Sequence, residues 1–188
     1  MSLERFTRGS ALRTALLLLL GAYTGALAFF AGTAGTVLTE SPSRHAGGAV
    51  NRALLDVLDL TSYAGAALAF LLVLLLDRVE PLTKVQKGLA LRLLAVIAAA
   101  AFASHEVITP QMMALRERLP ALVDLLPRAD PGRREWSRLH AFSSIVLLVR
   151  LLASTVLFVL VSRKPRRTIA VAVNAAEPTV PADPTTAA

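Results

Sequence analysis

Residues 139–162 read LHAFSSIVLLVRLLASTVLFVLVS. These 24 residues between Arg138 and Arg163 carry one charge, Arg150. A bilayer hydrocarbon core takes about 20 helical residues, so the stretch reads as a membrane-spanning helix. Three further runs lie upstream. Arg13 and Glu40 enclose 26 uncharged residues, Asp59 and Asp77 enclose 17, and Arg92 and Glu106 enclose 13. The last run is too short to span alone. Its helix is expected to begin near Gly88 and to carry Arg92 in its first turns, the long side chain reaching back to the headgroups. Four spans are therefore expected, over 13–37, 58–77, 88–106 and 139–161.

The composition agrees. Apolar residues make up 55% of the 188, charged residues 18%, and mean hydropathy is +0.59. Soluble domains carry about 25% charged residues, so an ordinary soluble enzyme is not expected, and a disordered chain is excluded. With no cysteine, disulfides, thiolate metal sites and cysteine nucleophiles are excluded as well. The net charge of +7 arises from 20 Lys and Arg against 13 acids. These basic residues gather at the ends of apolar runs, where membrane topology places them. The expected partner is the lipid bilayer, not nucleic acid. A homo-oligomer or a membrane-protein partner is left open.

Lysine and arginine bias gives an orientation. One side collects Arg5, Arg8, Arg13, Arg78, Lys84, Lys87, Arg92, Arg163, Lys164, Arg166 and Arg167. The other collects Arg44, Arg52 and the six arginines from Arg116 to Arg138. Both termini are therefore expected in the cytoplasm. A bias toward Ala, Leu and Arg over Lys suits a bacterial chain, and hence a bacterial inner membrane. Residues 1–12 read as a basic N-terminus, 13–162 as the membrane domain, and 163–188 as a basic and then disordered tail containing Pro178, Pro181 and Pro184.

The first span has a rival reading as a signal peptide. Arg5, Arg8 and Arg13 precede Leu16–Leu20 and the triplet Ala26-Leu27-Ala28. The apolar run continues to Leu38, however, which suits an anchor. Gly21, Gly25, Ala28, Gly32 and Gly35 recur at steps of four and three. This face is expected to pack on another helix of the bundle. After the third span, Thr109 is suited to cap a helix and Pro110 to open it. Met112, Leu115, Leu119, Leu122 and Leu126 then give an amphipathic stripe, broken at Pro120 and ended at Pro127. This segment is expected on the membrane surface or capping the bundle. Trp136 reads as an interfacial anchor.

His140, Ser143, Ser144, Arg150 and Ser154 share one face of the fourth span. Counted from Leu139, Arg150 lies about 16 Å deep, near the middle of a core about 30 Å thick. Such a charge usually faces the bundle interior or a wet cavity. Asp56, Asp59, Asp77, Glu80 and Glu106 all mark expected span ends, so no carboxylate is expected at that depth. Tyr23, Thr24 or freed backbone carbonyls are the expected partners. The competing expectation is a lipid-facing Arg150 that snorkels to the headgroups.

His105 closes the third span and His140 opens the fourth. Two facing histidines are able to ligate haem iron or a metal ion, although no tight His spacing supports this. No phosphate-binding glycine loop, nucleophile elbow or zinc-protease motif occurs. Ser143 and Ser144 near His140 have no evident third partner. No catalytic residue is assigned and no cofactor is specified.

Three local patterns carry a resemblance: His45-Ala46-Gly47-Gly48, then Thr109-Pro110 with Leu115-Arg116, and Trp136-Ser137-Arg138-Leu139-His140-Ala141-Phe142-Ser143-Ser144. Over residues 13–162 the chain resembles the transmembrane protein 205-like domain, a four-span membrane domain of unsettled activity. Leu147 stands where that family tends to carry Asn, and a Pro-Phe element near the end of the first span is missing. The resemblance implies architecture, with no catalytic residues to carry over. The expectation is an all-α four-helix transmembrane bundle with a surface helix between spans three and four. Its expected role is non-enzymatic: structural, accessory or transport-related. A haem- or metal-binding module using His105 and His140 is the alternative.

Overall fold

A computed structural model describes residues 3–163 apart from Ala121. The expected disordered tail lies outside the described residues. The described residues form five α-helices: α1 (Leu3–Glu40), α2 (Arg44–Val79), α3 (Lys84–Phe102), α4 (Thr109–Arg118) and α5 (Pro131–Ser162). Among the described residues there is no strand. A π-helical segment, Ala103–Ile108, joins α3 to α4 without a break, and a 3-10 turn, Val123–Leu125, precedes α5. Four rods result, and all four are long and apolar enough to cross a membrane.

Local chemistry sets the ends. Ser43 caps α2 by accepting from the Ala46 N–H. Thr83 and Gln86 form a reciprocal capping box at α3. Asp130 Oδ1 accepts from the N–H groups of Gly132 and Arg133 at the start of α5. These bonds satisfy amides that a helix N-terminus otherwise leaves open. The rods are longer than the expected spans because capped helices continue past the apolar runs. At about 1.5 Å per residue, α1 is about 57 Å long, nearly twice a hydrocarbon core. The basic N-terminus is correspondingly helical from Leu3 onward.

The rods form a square in which α1 touches α2 and α5, and α3 touches the same two. Thus α2 and α5 are diagonal. Leu16, Leu20, Val73, Leu76, Leu94, Ile97, Leu157 and Val161 build the apolar core, drawn from all four rods. It occupies the half of the bundle next to the two chain ends. There Arg13 closes the bundle. Its Nη1 donates to the Val161 carbonyl at 2.7 Å, and its Nη2 lies 3.2 Å from Glu80 Oε1. Val161 belongs to the last turn of α5, whose carbonyls lack helical partners.

Two expectations change here. Of the small-residue face of α1, Gly21 alone is half-buried, with a Cβ there 3.5 Å from the Phe158 ring of α5, and the rest does not pack inside the bundle. Gly25, Ala28, Gly32 and Gly35 are exposed. Leu16, Leu20, Leu27 and Phe30 fill the interior from another face of α1, because large side chains are needed to reach the bundle centre. The true close approach is at Gly47, where a Cβ would lie 2.8 Å from the Val37 carbonyl. The second change concerns the segment after Thr109. Its helix forms, but as a continuation of the third rod, and Ile108 precedes it with helical dihedrals and no side-chain cap. Pro110 has no N–H and its ring crowds the preceding turn. The wider π turn directly before it absorbs that defect, with Thr109 N–H bonded to the Ser104 carbonyl. The helix ends at Arg118, with Leu119 extended ahead of Pro120. Leu115 and Leu126 of the apolar stripe are buried, and Leu122 is exposed.

Candidate functional site: a charge pair inside the bundle

Arg150 projects from α5 across the bundle centre to the diagonal helix α2. Both Arg150 and Asp59 are 0% exposed. Arg150 Nη1 donates to Asp59 Oδ1. Nη2 donates to the Ser62 hydroxyl and, at 3.0 Å, to the Leu58 carbonyl. Nε donates to the Tyr23 hydroxyl at 3.2 Å. Asp59 Oδ2 accepts from the Ser104 hydroxyl at 2.9 Å. The cluster therefore draws on α1, α2, the π segment and α5.

The hydroxyl protons follow from the guanidinium, which only donates. Tyr23 oxygen accepts from Nε, so its own proton is free for Ser62, 2.9 Å away. Ser62 in turn donates to the Leu58 carbonyl. Each group has its partner, which a buried charge pair requires if it is not to be strongly unfavourable. The π segment matters to this closure. It shifts the helical register at Ser104, and Ser104 is the residue that meets Asp59.

The expected partner set is corrected by this geometry. A carboxylate does lie at the depth of Arg150. Charge spacing puts Asp59 at a span end, whereas α2 begins 15 residues earlier, at Arg44. Arg150 does not face lipid. Tyr23 is brought to it, while Thr24 makes no hydrogen bond and its Oγ1 is buried and unpartnered. Of the polar face of α5, Ser154 is buried with Arg150. His140 and Ser144 are exposed and Ser143 is half-buried. Ser144 bonds only to the carbonyl of His140, 3.0 Å away. None of Asp59, Ser62 and Ser104 is among the partners that the sequence predicts for Arg150. One signal existed: Asp59 and Ser62 lie on the same helical face as the apolar Ala69, Val73 and Leu76.

His105 and His140 are not joined by a hydrogen bond or a ring contact. The His105 ring meets Tyr63 edge-on, with centroids 6.4 Å apart. Its Nδ1 and the Tyr63 hydroxyl are buried without partners. His140 lies ten residues, about 15 Å along α5, from Arg150. Among the described residues no group of three or more His, Asp or Glu side chains is arranged to hold a metal. His105 and His140 therefore belong to no such group. His45, at the start of α2, instead accepts from Arg116 of α4.

A cavity of about 10 Å³ adjoins the cluster, lined by Tyr23 and Ser62 and otherwise by apolar groups such as Leu20 and Ile97. This is room for about one water molecule. No protein-family profile, no curated protein and no solved structure matches this chain.

Proposed function

We propose that this multi-pass membrane protein is a non-enzymatic structural or accessory component, in which the Arg150–Asp59 pair locks four helices into one arrangement. The observation that supports this reading is full occlusion. Both charges are 0% exposed, their hydrogen-bonding groups are matched, and the adjoining cavity has room for about one water molecule. A transport path needs a wet or mobile passage, and a tightly closed cluster favours a rigid bundle. The lysine and arginine bias supports cytoplasmic termini, and the local patterns already quoted support kinship with the transmembrane protein 205-like domain.

A transport-related reading has one specific support. Thr24 Oγ1, the Tyr63 hydroxyl and His105 Nδ1 are buried without hydrogen-bond partners, the kind of group that holds water or passes a proton. Purified protein in vesicles loaded with a pH-sensitive dye separates the readings. The structural role predicts proton leakage equal to that of empty vesicles, with or without an imposed potential. A leak that disappears in Asp59→Asn would replace it with transport.

A further inference from the structure

Arg128, in the turn before α5, and Arg133, Arg134 and Arg138, on its first two turns, line one hollow with Ser137. The hollow is a shallow depression, broadly open to its surroundings. Of these four arginines, Arg133 alone makes a side-chain hydrogen bond among the described residues, donating from Nη1 to the Leu126 carbonyl at 2.6 Å, while Ser137 Oγ donates to the Arg133 carbonyl at 2.9 Å. Arg128, Arg134 and Arg138 are exposed. Among the described residues none of these three forms a side-chain hydrogen bond or an ion pair. Asp130, the nearest acid in the turn, is occupied in capping α5. Glu135 makes no ion pair with them either.

Like charges held around one hollow repel each other, and an anion with several oxygens relieves that repulsion. Guanidinium groups match phosphate oxygens in a two-pronged geometry that lysine lacks. The position of the hollow along α5 identifies the source of the phosphate. The apolar run of α5 starts at Leu139, immediately after Arg138, and Trp136 lies between Arg134 and Arg138. The arginines therefore stand at the headgroup level of a bilayer that α5 crosses.

We propose that this hollow binds the phosphate of an anionic phospholipid headgroup in the adjoining leaflet. The assignment rests on the membrane-spanning character of α5 and is independent of what the Arg150–Asp59 pair does. It makes this end of the bundle a lipid-selective anchor.

Trp136 is the one tryptophan of the chain and serves as the probe. The full chain is reconstituted in phosphatidylcholine vesicles containing a small fraction of either brominated phosphatidylglycerol or brominated phosphatidylcholine. Brominated phosphatidylglycerol is expected to quench Trp136 more strongly. The local enrichment is expected to fall about fivefold for Arg134→Gln and again for Arg138→Gln. Equal quenching by the two lipids overturns the proposal. So does an excess that survives Arg128→Gln, Arg134→Gln and Arg138→Gln together. Arg92→Gln, at an exposed arginine of α3, is expected to leave the excess intact. An equal loss there means that net charge, not the hollow, attracts the lipid. A change in Trp136 emission with inorganic phosphate, without any preference for phosphatidylglycerol, assigns the site to soluble phosphate and overturns the lipid assignment.

Discussion

The two halves of this bundle are held together by different physics. Next to the chain ends, Leu16, Leu20, Val73, Leu94 and Leu157 interdigitate with no charge among them, and Arg13 and Glu80 sit at the rim. Toward the other end the interior turns polar, with Arg150, Asp59, Ser62 and Ser104 at the centre. In the apolar half many small contacts share the work, and in the polar half a few directional bonds carry it. Such a division lets one half tolerate substitution by volume while the other tolerates it only by charge.

The sharpest way to break the contrast is to remove one charge. Arg150→Leu or Asp59→Leu alone is expected to cost about 3–5 kcal/mol, since each leaves a buried charge unpaired. Combining the two should recover most of that loss, because well-packed apolar pairs replace buried ion pairs at little cost. Unfolding of the detergent-solubilised protein followed by helical circular dichroism measures both. A double variant as unstable as either single one would show that the cluster acts through shape.

In the apolar half, Leu157→Ala should cost about 2–4 kcal/mol by leaving a cavity, and no second substitution of opposite character is expected to rescue it. Gly47→Ala tests the α1–α2 approach outside both halves. Its Cβ would meet the backbone at Val37 and Leu38, and backbone yields poorly, so a loss of about 1–3 kcal/mol is expected in the same assay. The smallest effect is expected at Tyr23→Phe. It removes one hydroxyl from the cluster, and hydrogen bonds between membrane helices average about 0.6 kcal/mol. A loss there as large as that of Asp59→Leu would mean that the phenol, not the carboxylate, holds Arg150.

The same contrast explains what was legible in the sequence. Uncharged run lengths located four spans, because apolar length is a property of contiguous residues. Arg150 stands out for the same reason. Its partner does not, because a charge such as Asp59 looks like a span boundary in sequence, and only the capped start of α2 at Ser43 moves that boundary outward. The Ser104–Asp59 bond depends on a π turn, whose single added residue per turn leaves no clear trace in apolar periodicity. Pro110 is the nearest hint. The glycine face of α1 misled because small-residue spacing looks the same whether it meets a helix or lipid.

The placement of Arg150 on the last helix has a consequence for biogenesis. Asp59 leaves the ribosome 91 residues before Arg150, so the first three helices enter the membrane with an acid that has no cation. Until α5 arrives, Ser104 is the one cluster partner that supports that carboxylate without involving α5. A chain truncated before Arg150 thus carries an intramembrane acid without its cation, a costly arrangement in a bilayer.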